Sequence, residues 1–138
     1  MKKTFAPFIL LAFVFLLGCS DKLPLGGTVT FSDDGEPVPI GAVYFETPTF
    51  SAMGSINPDG TYTVGSMDIA DGIPKGTYNV TIRGAEEITL IENPDGTRVE
   101  RRRALIDSKY QSADTSGLSF TVDGTTRRFD IPVDRATR

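Results

Sequence analysis

Thr77-Tyr78-Asn79-Val80-Thr81-Ile82-Arg83 is the stretch that decides the fold. Apolar and polar side chains alternate through it without a break. Tyr78, Val80 and Ile82 fall on one side, and Thr77, Asn79, Thr81 and Arg83 fall on the other. Side chains on an extended backbone repeat every two residues, so this pattern belongs to a strand with one buried face. Its β-branched and aromatic content suits a pleated surface, and its length suits the centre of a sheet.

The same period recurs on both sides of this strand. Upstream, Val29 and Phe31 alternate with Thr28 and Thr30, and Val43 and Phe45 mark a second strand within 40–46. A weaker strand covers 50–56, and Tyr62 and Val64 share one face of the next. Downstream, Leu118, Phe120 and Val122 form the penultimate strand, and Phe129, Ile131 and Val133 the last. Asp123-Gly124 supplies turn chemistry for a hairpin between those two. Pro132 has no N–H to donate, which assigns the last strand to a sheet edge.

Between the strands lie Asp33-Asp34-Gly35-Glu36, Asn57-Pro58-Asp59-Gly60 and Asn93-Pro94-Asp95-Gly96, all strong turn signals. The last of these sits inside 84–103, with Ile88 and Leu90 before it and Val99 after it, and reads as an excursion hairpin. The two Asn-Pro-Asp-Gly tetrapeptides share turn physics rather than ancestry, because their flanks do not match. The segment 65–76 reads as a loop, and Arg101-Arg102-Arg103 together with 104–117 as a long connection. About seven short strands with turns every eight to twelve residues imply an all-β fold, an antiparallel β-sandwich in which Tyr78 packs at a sheet corner.

The first 18 residues follow different rules. Lys2 and Lys3 precede an apolar run from Phe5 to Leu17, which is too short to span a bilayer but of the length expected for a secretory signal. Leu16-Leu17-Gly18-Cys19 closes it and resembles a lipobox, with cleavage between Gly18 and Cys19. Cys19 then becomes the first residue of the mature chain, its sulfur carrying a diacylglyceryl group. One acyl chain holds a protein at a membrane only marginally, whereas two anchor it stably. The expected organisation is a signal peptide over 1–18, a lipidated cysteine and short tether over 19–24, and one domain over 25–138. The expected location is the bacterial cell envelope, with the membrane as a partner through the lipid on Cys19.

Composition narrows the chemistry. The chain has 14 Lys+Arg and 18 Asp+Glu, a formal charge of −4. Losing Lys2 and Lys3 with the signal leaves 12 against 18, or −6. That balance argues against nucleic acid. Cys19 is the single cysteine, so the chain forms no internal disulfide. With no histidine, a Ser-His-Asp or Cys-His relay cannot be built, and with no tryptophan the best sugar-stacking residue is missing. No catalytic residues, metal ligands or cofactor are assigned.

Several residues carry alternative readings. Asp68 and Asp71, with Asp59, are either solvated loop acids or oxygen ligands for calcium; their spacing does not match an EF-hand loop. Arg101, Arg102 and Arg103, joined by Arg98, Arg127 and Arg128, are either a patch for an acidic partner or anionic glycan, or charges that discourage edge pairing. Tyr44, Phe50 and Tyr110 are either sugar-contacting aromatics or buried under loops. The expected partner surface is Arg101, Arg102, Arg103 and Tyr110, facing an envelope protein or a glycan.

Gly27-Thr28-Val29-Thr30-Phe31, Asp34-Gly35-Glu36-Pro37-Val38-Pro39 and Ala42-Val43-Tyr44-Phe45 resemble the opening of carboxypeptidase regulatory-like domains, which are transthyretin-like, Ig-like sandwiches. Asn57 to Tyr62, Pro74 to Ile82, and Lys109-Tyr110 through Thr115 to Leu118 are similar to later landmarks of short lipoproteins of the planctomycete type. The resemblance covers nearly the whole mature chain and departs from the pattern at 84–103. It implies an accessory module without peptidase activity, and it brings no site residues.

Overall fold

The computed structural model describes residues 21–66 and 70–138. Eleven strands are found there: β1 (Lys22–Leu23), β2 (Gly26–Phe31), β3 (Ala42–Thr47), β4 (Phe50–Ser55), β5 (Thr61–Thr63), β6 (Ile73–Pro74), β7 (Gly76–Arg83), β8 (Glu86–Glu92), β9 (Arg98–Ala104), β10 (Leu118–Val122) and β11 (Ile131–Val133). Seven of them make the sandwich. One sheet has the order β10-β7-β3-β4 and the other the order β11-β2-β5. The two pairs left over, β1-β6 and β8-β9, are separate two-stranded ribbons.

β7 lies inside its sheet, between β10 and β3, as its alternation requires. Tyr78, Val80 and Ile82 enter the core with Val43 and Phe45 of β3, and Val29 and Phe31 of β2 reach it from the other sheet. Phe45 is the meeting point of the two sheets. Its ring centroid lies 6.4 Å from those of Tyr62, Tyr78 and Phe129 and 6.5 Å from that of Phe120. Several of these contacts are edge-to-face, the arrangement that ring quadrupoles favour.

Glycine sets how closely the backbones approach. A Cβ on Gly27 would lie 2.0 Å from the carbonyl oxygen of Phe129, and one on Gly54 would lie 2.6 Å from that of Thr63. Neither position has room for a side chain.

The turns are built as their residues require. In both Asn-Pro-Asp-Gly sequences, the aspartate Oδ1 accepts from the amide two residues on and from that threonine's hydroxyl, at 3.0 and 2.6 Å for Asp59–Thr61 and 2.9 and 2.6 Å for Asp95–Thr97. Asn57 and Asn93 each donate a side-chain N–H to the same threonine hydroxyl. Identical local bonds in unlike surroundings are what shared turn physics produces. Among the described residues no three Asp, Glu or Cys side chains gather to hold an ion.

Four expectations are corrected. β10 and β11 do not form a hairpin: β10 pairs with β7, and the chain crosses to the other sheet, where β11 runs parallel to β2 with Ile131 opposite Val29. The Asp123-Gly124 turn forms, with Thr125 donating to Asp123, but six further residues carry the chain over. The sandwich is therefore not wholly antiparallel, although β11 does occupy an edge. Second, Lys22 and Leu23, expected in the tether, pair with Pro74 and Ile73, so strand pairing among the described residues starts at Lys22, and the 65–76 loop ends in a strand.

Third, the long connection after β9 contains two helical turns, a 3-10 turn Ser108–Gln111 and a helix α1 (Ala113–Ser116). They cover the outer face of β7, where the Ser116 hydroxyl donates to the Val80 carbonyl at 2.7 Å. Fourth, and as a consequence, Thr81 is fully buried instead of facing solvent.

Candidate partner surface

The structure answers the readings of the individual residues unevenly. Gly18 and Cys19 lie outside the described residues, as does Asp68. Asp71 forms an ion pair with Lys22 and accepts from the Ser66 amide at 2.6 Å, which fastens β1 to the loop before β6.

Tyr110 does not belong to a surface. It is 5% exposed, and its hydroxyl accepts from the Asp134 amide at 3.0 Å while Lys109 lies over the ring. The guanidinium of Arg83 covers Tyr44 at 4.7 Å from the ring centroid. Phe50 packs half-buried against Tyr78 and borders a shallow groove of about 490 Å³ with Glu46 and Asn79 on its rim. Glu46 is held there by Arg83 at 2.9 Å.

The arginine run is on β9, and β9 is half of a hairpin that packs against neither sheet. Every residue of β9 is exposed. Three large apolar side chains stand in water on the same hairpin: Ile88 at 52%, Leu90 at 63% and Val99 at 52% exposure. The register is unbroken, from Glu86 opposite Ala104 to Glu92 opposite Arg98.

That register neutralises most of the run. Arg103 meets Glu87 at 2.8 Å, Arg102 meets Glu100 at 3.3 Å and Glu86 at 3.9 Å, and Arg98 meets Glu92 at 3.8 Å. Arg101, opposite Thr89, has no ion-pair partner among the described residues. The surface is thus not a uniformly basic patch. It is a ribbon with one acidic strand and one basic strand.

Exposed pairs of this kind contribute about 0–1 kcal/mol each. They favour the register more than they stabilise the fold. The glutamates of β8 were missed as part of this surface, yet the sequence does hold a signal for them. Folding 86–104 about Asp95 places Glu87 and Arg103 each eight residues from the turn centre.

The hairpin's backbone has a definite inside and outside. Leu105 donates to the Ala85 carbonyl at 2.9 Å and Asn93 to the Thr97 carbonyl at 2.8 Å. Those bonds mark Ala85–Leu105 and Asn93–Thr97 as hydrogen-bonded pairs. Such pairs alternate along an antiparallel ladder, so Glu87, Thr89 and Ile91 bond inward to β9. Ile88, Leu90 and Glu92 then direct their N–H and C=O groups to the open edge of β8, and Arg98, Glu100 and Arg102 direct theirs to the open edge of β9.

At the base of the hairpin a groove of about 410 Å³ runs between Arg102, Arg103 and the chain end at Arg135 to Arg138. Arg135 is occupied by Asp33 at 2.9 Å and Asp34 at 2.6 Å, and its guanidinium also stacks over Phe31. Most of the cations around this groove are therefore already paired.

The hairpin also has a fixed place on the body. β7 starts at Gly76, beside the β1-β6 ribbon, and ends at Arg83, three residues before β8. Its eight residues span about 26 Å at about 3.3 Å each. β1 and the hairpin thus lie toward opposite ends of β7.

No family model matches the chain, and no curated protein matches it. Among solved structures, a 9R-lipoxygenase from Cyanothece PCC8801 aligns over 81% of this chain and 16% of its own length, at 13% identity and a TM-score of 0.34.

Proposed function

We propose that this protein is a non-catalytic lipoprotein of the bacterial envelope, anchored through acyl chains on Cys19 and acting as a binding or structural module. The observation that carries the reading is the polarity of the body. Lys22 and Leu23 are fastened to β6 toward one end of β7, and the exposed hairpin lies toward the other. Cys19 precedes Lys22 by three residues, which reach about 10 Å when extended. An anchor there holds the sandwich against the lipid and turns the hairpin end away from it.

The resemblance to carboxypeptidase regulatory-like domains agrees with an accessory role. Replacing Cys19 with serine tests the anchor: the variant leaves the membrane fraction and accumulates as an uncleaved precursor. Normal cleavage with unchanged membrane retention would refute it. A carbohydrate-binding role is the alternative, and the groove beside Phe50 is where it would be located. Glycan binding that is lost on Phe50→Ala would favour that reading.

A further inference from the structure

We infer that the β8–β9 hairpin is a self-association device, in which the open edge of β8 on one copy pairs with the open edge of β9 on a second copy of this chain. The inference rests on the hairpin alone and does not depend on the anchor.

Three observations lead to it. An isolated two-stranded ribbon is marginally stable in water, and a third strand is what ordinarily makes such a sheet persist. Here a ribbon of two seven-residue strands stands clear of both sheets, with Ile88, Leu90 and Val99 exposed. Both edges are long and regular, and neither carries a proline or a bulge to block pairing.

Charge selects which edges meet. β8 carries Glu86, Glu87 and Glu92 with no cation, a net −3, and β9 carries four arginines against Glu100, a net +3. Two β8 edges joined antiparallel about Thr89 would set Glu86 against Glu92 of the other copy twice. Two β9 edges would bring two +3 strands together, with Arg101 facing Arg101 when centred there. Only β8 against β9 joins opposite charges.

Outward-bonding residues must face outward-bonding residues for the ladder to form. The register that repeats the internal one satisfies this: Ile88 opposite Arg102, Leu90 opposite Glu100 and Glu92 opposite Arg98 of the second copy. It also sets Glu87 near Arg103 and gives Arg101 a glutamate-rich neighbouring strand. The contact is heterologous, so each copy keeps one free β8 edge or one free β9 edge after pairing.

Proline substitution at outward positions tests this with little disturbance to the hairpin, because the N–H removed is one the hairpin does not use. Full-length protein in nonionic detergent is followed by sedimentation velocity over a range of concentrations. Wild type forms species of two or more copies, and raising salt from about 20 to about 300 mM weakens the association about tenfold, as screening shortens the charge interaction. Leu90→Pro blocks the β8 edge and Glu100→Pro blocks the β9 edge, so each alone sediments as a single copy. Mixed together they form a one-to-one pair, since each supplies the edge the other lacks.

Arg101→Glu is the second probe. It breaks no ion pair among the described residues and weakens wild-type association at low salt by about tenfold. Circular dichroism melts that match wild type show that these variants are folded. Single-copy sedimentation of wild type at every concentration overturns the inference. Association that survives both prolines, or homotypic pairs formed by either proline variant alone, overturns it as well.

Discussion

The hydroxyl of Tyr62, on β5, donates to the carbonyl oxygen of Phe129 at 2.5 Å, joining β5 to the crossover that leads into β11. Tyr62 is 2% exposed, and the Phe129 backbone also lies against Gly27. Removing the hydroxyl leaves that carbonyl without this donor. Tyr62→Phe is expected to lower stability by about 1–2 kcal/mol in urea unfolding.

The same hydroxyl sets an alkaline limit. Burial pushes its pKa well above the ordinary tyrosine value, and the nearby Asp130 carboxylate adds to the shift. A group whose pKa is raised on folding contributes stability in full below its unfolded pKa, about 10, and loses it as pH rises toward the folded value. Wild type should therefore lose stability above about pH 10, and Tyr62→Phe should lose less over the same interval. Equal alkaline losses in urea titrations would refute this.

Acid should act through the turn aspartates. The pKa values of Asp59, Asp95 and Asp123 lie below the ordinary value because the threonine hydroxyl and amide two residues on donate to each carboxylate. Lowered values give stability that is present above the unfolded pKa, about 3.9, and lost as pH falls through the folded value. The decline should begin below about pH 4, and Asp59→Asn should make it shallower. The readout is a thermal melt at each pH.

Gly60 and Gly96 form an internal comparison. Both have φ of +83°, in the left-handed region that L residues enter at a cost of about 1–2 kcal/mol. A Cβ on Gly60 would also lie 2.8 Å from Pro37 Cβ and from the Val29 carbonyl oxygen, whereas one on Gly96 meets nothing. Gly96→Ala should cost no more than about 2 kcal/mol. Gly60→Ala should cost clearly more, measured in the same urea series.

Thr81 offers a stabilising change. It is fully buried in the middle of β7, and its hydroxyl has no hydrogen-bond partner among the described residues. A buried unsatisfied hydroxyl costs about 1–3 kcal/mol, and valine has nearly the same shape. Thr81→Val should raise the urea midpoint, by about 1 kcal/mol in stability. A loss of stability would mean that the hydroxyl is satisfied.

How far the sequence could be read follows from what each feature depends on. The period of β7 and the Asn-Pro-Asp-Gly turns are local properties, so the central strand, the excursion hairpin and the corner role of Tyr78 were all legible. The Tyr78 hydroxyl does donate to the Pro74 carbonyl at 2.9 Å. Pairing partners are not local. Nothing within 118–133 says that β11 will leave β10 and lie parallel to β2, since alternation marks a face and not a neighbour.

Burial by distant elements was equally hidden. Thr81 follows the polar phase of its strand, and what buries it is a pair of helical turns some thirty residues later. Tyr110 looked like an exposed aromatic because the backbone of Asp134, which bonds it, is 24 residues away. The arginine run looked basic because the acids that pair with most of it sit on the opposite strand, and charge balance emerges only with the register.

The reading of this chain as an anchored module comes down to the chemical state of one sulfur atom. Mass spectrometry of the amino-terminal peptide, from protein extracted from membranes of the native cell, measures that state directly. Acylation requires a peptide that begins at Cys19 and is heavier by a thioether-linked diacylglyceryl group. A peptide that begins upstream of Cys19, or one that begins there with a bare thiol, would contradict it.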